Sequence, residues 1–300
     1  MQLTRRGFTL VELLVALVLL GLITAGIYRV LVNNQRIYQA QTQRIDLQQN
    51  IRAGVTLLPA ELRELDAADG DLVAMSATSI TVRASRQLAI ICSLPVVGVP
   101  VGGVAPVTMA IRVDPFYNLR DFNTATDSVF VYYEGNQGST DDDGWVRGNI
   151  RAIANLNCED GTAGRQLVTS LLFGVNQIPA TGNIQRGSPV RGYETVTYSV
   201  YQAADNRWYL GYQSTTGAGV RQPLIGPLLD ANGVTFDYFN VNGAVTAVPA
   251  QVAQIQITLR AQTAQPVRTG AGPQRFVTDS VVTRVSLRNN RRWISLAPGS

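Results

Sequence analysis

The sequence predicts an α+β protein, in which one long N-terminal helix packs on a large antiparallel β headpiece. Three observations predict this. An apolar run from Phe8 to Tyr28 passes without a turn signal into an amphipathic stripe that reaches Leu65. From Ser79 onward, short runs rich in β-branched and aromatic residues recur, many of them alternating apolar and polar. Turn signals such as Ala67-Ala68-Asp69-Gly70 and Asn242-Gly243 end the first regime and punctuate the second.

Residues 1–7 form a short basic leader that contains Arg5 and Arg6. Residues 8–28 follow as an apolar helix. At about 1.5 Å per residue the run is about 30 Å long, the thickness of a bilayer's hydrocarbon core. A secretory signal has a shorter apolar core and a small-residue cleavage site after it. The end of this run shows no such site, so the segment is expected to stay in the membrane. Its one charge is Glu12. A carboxylate in hydrocarbon costs about 2.5–3.5 kcal/mol, so Glu12 needs a partner.

Residues 29–66 continue the helix. Asn33 to Asn50 is polar and glutamine-rich, as suits a solvated stalk. Leu47, Ile51, Val55, Leu58, Leu62 and Leu65 recur every three or four positions and make an apolar stripe. This stripe is expected to dock on the chain's own β domain rather than on a second chain. Pro59 removes one backbone donor and should kink or restart the helix.

Residues 67–300 form the β-rich headpiece. Strands are expected at Ser79–Ala84, Leu88–Cys92, Val107–Val113, Ser128–Glu134, Trp145–Ile153, Glu194–Gln202, Arg207–Gln213, Val234–Asn240, Val252–Ala261 and Phe276–Leu287. Ala203-Ala204-Asp205-Asn206 joins two of them as a hairpin, and Asn242-Gly243 is a second hairpin signal. Val96–Pro106, Gly135–Gly144, Pro179–Gly192 and Thr263–Pro273 read as loops.

Composition excludes several chemistries. The 300 residues include no histidine, and every basic side chain is arginine. That removes histidine-based triads, HExxH zinc sites, Schiff bases, Ser–Lys dyads and the Walker P-loop. Arginine stays protonated and makes a poor general base. The net charge of +4, or +2 without Arg5 and Arg6, is weak support for a nucleic-acid partner. The two cysteines, Cys92 and Cys158, suggest a disulfide in an exported domain. The bridge would close a loop of about 67 residues and stabilise by about 2–4 kcal/mol. Two separate buried thiols are the alternative.

Gly7-Phe8-Thr9-Leu10-Val11-Glu12, behind a basic leader and ahead of the apolar run, resembles the processing site of type IV prepilins and type II secretion pseudopilins. The resemblance implies that a prepilin peptidase cuts between Gly7 and Phe8 and methylates the Phe8 amine. It also implies that Glu12 of one subunit pairs with the Phe8 amine of a neighbour during assembly, so that neither charge is left alone in the apolar bundle. Arg5 and Arg6 before the span are balanced by Arg29, Arg36 and Arg44 after it, so charge alone does not orient the chain. The resemblance places the leader in the cytoplasm, the helix in the inner membrane as a single pass, and the headpiece outside. The family's major pilins often carry a proline late in the apolar helix, where this chain has only Gly21 and Gly26 as softening residues.

Beyond the helix, the layout is similar to J-type minor pseudopilins and W-type minor pilins. Tyr193–Tyr201, Trp208-Tyr209, Pro223–Leu229 and Val234–Phe239 follow in the same order. The implied role is a structural subunit of a type IV pilus-like filament or a type II secretion pseudopilus, at its tip or in priming. Its partners would be the peptidase, other subunits, the inner-membrane assembly platform and membrane lipid. No cofactor and no enzymatic activity are expected. The rival expectation is a membrane-anchored extracytoplasmic hydrolase or receptor with a plain signal anchor.

Two clusters carry weaker expectations. Asp141-Asp142-Asp143-Gly144 offers clustered oxygens for Ca²⁺, but it lacks the alternating spacing and reads better as a solvated turn. Arg284, Arg288, Arg291, Arg292 and Trp293 could grip a nucleic-acid single strand, but they read better as a last strand with solvated arginines and a tail. No residue is assigned to catalysis.

Overall fold

A leucine-rich apolar run followed by a glutamine- and arginine-rich stretch, with no proline before Pro59, favours a helix of unusual length. In the computed structural model of the chain this helix is α1, Leu10–Arg63, and it runs for 54 residues, about 81 Å. The structure describes residues 9–99, 101–102, 104–112, 120–135, 143–172, 184–215, 219–268 and 272–288. α1 is the one long helix among them, and a large antiparallel sheet follows it, so the layout is α+β.

The helix continues through Pro59 rather than restarting there. Pro59 lies in the last turns and is buried against the headpiece, so packing offsets its missing donor. The buried face runs through Leu47, Ile51, Gly54, Leu58 and Leu62. Val55, expected on this face, is only half-buried, and Gly54 takes its place at the seam. Past Arg63 the chain turns at Ala67–Gly70, with Gly70 at φ +84°.

The strands are β1 Leu72–Met75, β2 Ser79–Ile91, β3 Val96–Val97, β4 Val104–Arg112, β5 Asp127–Tyr133, β6 Gly144–Asn157 and β7 Ala163–Leu172. They continue with β8 Pro189–Gln202, β9 Trp208–Ser214, β10 Gln222–Leu228, β11 Val234–Phe239, β12 Gln254–Gln262 and β13 Thr278–Ser286. Ser79–Ala84 and Leu88–Cys92 are thus halves of one strand, β2. β1, β3, β7 and β10 stand where no strand was expected. The Val96–Pro106 loop is a hairpin in which β3 pairs with the middle of β4. Pro179–Gly192 shortens because β8 already starts at Pro189.

Asn206, at φ +60°, closes the hairpin between β8 and β9, as the Ala203–Asn206 signal predicts. Asn242-Gly243 also turns, with Gly243 at φ +76°, but it returns only a single bridge, Val245 to Phe239. The chain then passes a short 3₁₀ turn, Pro249–Gln251, before β12 pairs with β11.

The strand pairings divide the headpiece into two parts. β2, β4, β7, β6, β5 and β8 pair in that order, and β8 pairs back to β2, so these six strands form a closed antiparallel barrel. Its interior is a separate apolar core that includes Ile91, Met109, Ile111, Val129, Leu167 and Leu171. The other core holds the buried face of α1 against Ile80, Val82, Leu210, Ile225, Ile257 and Leu259. β2 and β8 run through both. Even-numbered residues of β2, such as Ile80 and Val82, face the helix core. Past a bulge at Arg86, odd-numbered Ala89 and Ile91 face the barrel core. The extra residue keeps one face of the β2–β8 ribbon inward and adds the twist that curls it into a barrel.

Candidate functional site

The processing and assembly residues expected at the N-terminus fall on both sides of the described boundary. Gly7 and Phe8 lie outside the described residues. Thr9 has extended backbone and is the N-cap of α1, and its hydroxyl accepts a hydrogen bond from the Glu12 amide at 3.2 Å. Thr9-Leu10-Val11-Glu12 has the pattern of a capping box, whose threonine satisfies one of the helix's first four unpaired donors. This cap adds to the assembly role expected of Glu12, and Thr-x-x-Glu ahead of an apolar run is its recognisable signal in the sequence. Glu12 also lies in the first turn, where a carboxylate suits the positive end of the helix dipole.

Every side chain from Thr9 to Leu31 is exposed in the isolated chain. Leu, Ile and Val occupy all sides of this segment, so no single face could be satisfied by docking on the headpiece. The segment is long and apolar enough to cross a membrane. Its cover must come from lipid or from other helices. Polar Thr24 returns its hydroxyl to the Leu20 carbonyl at 2.7 Å, which keeps it satisfied without water.

The lower half of α1 is fixed differently. Gly54 brings the helix backbone close to the sheet, and a Cβ there would lie 3.0 Å from Ile225 Cδ1 and 3.1 Å from Leu259 Cδ1. At its far end the Arg288 amide donates to the Arg63 carbonyl at 2.8 Å, which satisfies one of the helix's last unpaired acceptors.

The remaining sequence-predicted residues are dispersed. Cys92 and Cys158 are joined by a disulfide that ties the β6–β7 hairpin to the chain just past β2. Asp143 accepts from Tyr132 Oη at 2.7 Å and from the Gly135 amide at 2.9 Å, while Asp141 and Asp142 lie outside the described residues. Arg284 stacks over Phe239 at 4.3 Å and donates to Gln256, and Arg288 faces Glu64 at 3.6 Å. Arg291, Arg292 and Trp293 lie outside the described residues. The two described arginines of the basic C-terminus are therefore engaged within the fold.

A buried ion network was not anticipated. Arg86, the bulged residue of β2, contacts Glu61 of α1 at 3.0 Å and Glu194 of β8 at 3.2 Å. Arg120 in turn holds Asp127 of β5 at 2.5 Å and Glu194 at 3.2 Å. Tyr212 donates to Glu194 at 3.1 Å. Burial opposes the charge on Arg86, but the Glu61 carboxylate together with hydrogen bonding to Tyr212 and Glu194 outweighs it and raises the arginine's pKa. For Glu194 burial pushes the pKa up, while hydrogen bonds and the Arg86 charge bring it below its ordinary value. No signal in the sequence pairs residues so far apart.

No curated protein matches the chain, and no solved structure matches it. Residues 3–28 match the family model described as the prokaryotic N-terminal methylation motif, which supports reading the chain as a type IV pilin-like prepilin.

Proposed function

We propose that the chain is a minor pilin or pseudopilin, a structural subunit of a type IV pilus-like filament or a type II secretion pseudopilus. The observation that carries this is the uncovered apolar half of α1, capped at Thr9 and preceded by the methylation motif. In this reading a prepilin peptidase cuts between Gly7 and Phe8 and methylates Phe8. The chain waits in the inner membrane as a single pass with its N-terminus in the cytoplasm. Glu12 then pairs with a neighbour's Phe8 amine as the helix enters the filament core, where a lone charge would be costly. The assembly platform and the other subunits supply the surrounding helices.

The Cys92–Cys158 bridge supports an extracytoplasmic headpiece, because disulfides persist in oxidising compartments. The size of the headpiece favours a tip or priming position, since a barrel added to the helix-and-sheet unit crowds a repeating shaft. Nothing in the reading calls for a cofactor or a catalytic residue, and it assigns the chain no enzymatic activity.

The test is N-terminal sequencing and mass spectrometry of the protein from cells with and without a prepilin peptidase. The expected result is a methylated N-terminus at Phe8 that depends on the peptidase. A peptide still spanning Gly7 and Phe8 in peptidase-positive cells overturns the reading. Glu12→Ala is expected to be processed and membrane-held, yet to fall at least several-fold in the sheared filament fraction. Full incorporation of that variant favours the plain anchor of a membrane-bound hydrolase or receptor.

A further inference from the structure

The barrel is one continuous excursion of the chain. β2 enters it at Gln87, β8 leaves it at Gly192, and these two residues are register partners. The intervening strands β3 to β7 pair only within the barrel. The disulfide also lies wholly inside it. The barrel core and the helix core share no buried apolar residue among those described. Two covalent strands and a polar seam therefore join the parts, where an apolar seam would weld them. Polar seams of this kind leave relative motion as the default unless specific contacts fix the geometry.

Specific contacts do exist, and both begin in the same eleven-residue stretch at the end of α1. On the inner face of the β2–β8 ribbon, Glu61 holds Arg86, which holds Glu194, which shares Arg120 with Asp127. The side chains of Arg86, Glu194 and Asp127 are almost fully buried at the barrel mouth. On the outer face, Asp71 holds Arg191 of β8 at 2.6 Å, and Arg191 stacks on Phe130 of β5 at 4.8 Å. Arg83 of β2 donates to the Gly70 carbonyl from the same turn. Segment 61–71 thus grips the ribbon from both sides at the point where it becomes a barrel.

We propose that the Glu61–Arg86 and Asp71–Arg191 pairs form a clamp that locks the barrel's bearing to the end of α1, and that opening the clamp lets a folded barrel swivel about the β2–β8 ribbon. The clamp acts on orientation and not on either core. Its pairs are charge-assisted and directional, and neutralising both members of such a buried pair together is often close to neutral for stability, so its effect on orientation is separable from folding. In a subunit anchored by its helix, such a clamp makes the position of the barrel follow the position of the helix.

The test measures the distance between a spin label at Arg52, exposed on α1, and one at Ala154, exposed on β6. Both are attached through an introduced keto amino acid in the full-length chain in lipid nanodiscs, so the native disulfide is untouched. The unmodified clamp should give one narrow distance distribution. Glu61→Gln with Arg86→Met and Glu194→Gln removes the inner grip without stranding a buried charge, and Asp71→Asn weakens the outer one. The combined variant is expected to at least double the width of the distribution, while its near-ultraviolet dichroism and its disulfide stay unchanged. An unchanged narrow distribution in the folded variant overturns the clamp. Asp71→Asn alone, read the same way, is expected to broaden the distribution by a smaller factor, and it keeps the test decisive if the combined variant does not fold.

Discussion

Gly54 of α1 seats directly against Leu259 of β12, with room for a hydrogen and little more. A Cβ at position 54 would come within 3.1 Å of Leu259 Cδ1 and 3.0 Å of Ile225 Cδ1. This contact sets how closely the helix approaches the sheet, because the flanking buried residues Ile51 and Leu58 lie on the same face. Gly54→Ala should be nearly neutral. About 1 kcal/mol of helix propensity is offset by neighbours that must yield a few tenths of an ångström. Gly54→Leu has no such accommodation and should cost about 1–3 kcal/mol. Chemical denaturation of the full chain in detergent, followed by tryptophan fluorescence, measures both. Equal stability of the leucine variant would mean that the helix does not rest on β10 and β12 as described.

Local patterns made the helix and most strands legible, and long-range pairing hid the rest. The stripe from Leu47 to Leu65 pointed to the right face, but a hydrophobicity rule selects Val55 and passes over Gly54. Here close approach matters more than apolar surface. β7 was missed because Gly164, Arg165, Gln166, Thr169 and Ser170 dilute its alternation. Both of its neighbours are strands, so pairing rather than pattern holds it. β10 carries Pro223 and Pro227, which argue against a strand, and its register with β9 is correspondingly irregular. The closure of β8 onto β2 has no local signature, and neither does the reach of Arg86 to Glu61. At the N-terminus the reverse held. Thr9 and Glu12 are three residues apart, and their cap was present in the sequence to be read.

The disulfide should matter to the barrel more than to the helix. Cys92 and Cys158 are both buried, and the link closes a loop with a sequence separation of 66. Cys92→Ala with Cys158→Ala should cost about 2–4 kcal/mol, chiefly by freeing the unfolded barrel. Hydrogen exchange locates the loss. Amides of β4, β6 and β7 should exchange faster, while those of β12, which pack under α1, should change little. Uniform acceleration across both cores would show that the two parts unfold as one unit.

Asp66 gives the turn after α1 a pH dependence of unusual sign. Burial is the main cause that raises its carboxyl from an ordinary 3.8 to about 6, and the nearby Asp69 and Asp71 charges add to it. Hydrogen bonds from the Ala68 and Asp69 amides to Oδ1, at 3.0 and 3.1 Å, only partly offset this. The folded chain therefore keeps a proton that the unfolded chain has released. Between pH 3.8 and about 6 the native state binds more protons, so this group's contribution to stability is complete below that window and is lost as pH rises through it. The loss should be about 1–3 kcal/mol, the upper figure being the full conversion of the shift. Asp66→Asn keeps the Oδ1 acceptor and cannot ionise. It should match the parent at pH 4 and exceed it by about that amount at pH 7. Denaturation midpoints of both chains at the two pH values provide the measurement. If the variant shows no gain at the higher pH, Asp66 ionises freely in the folded turn.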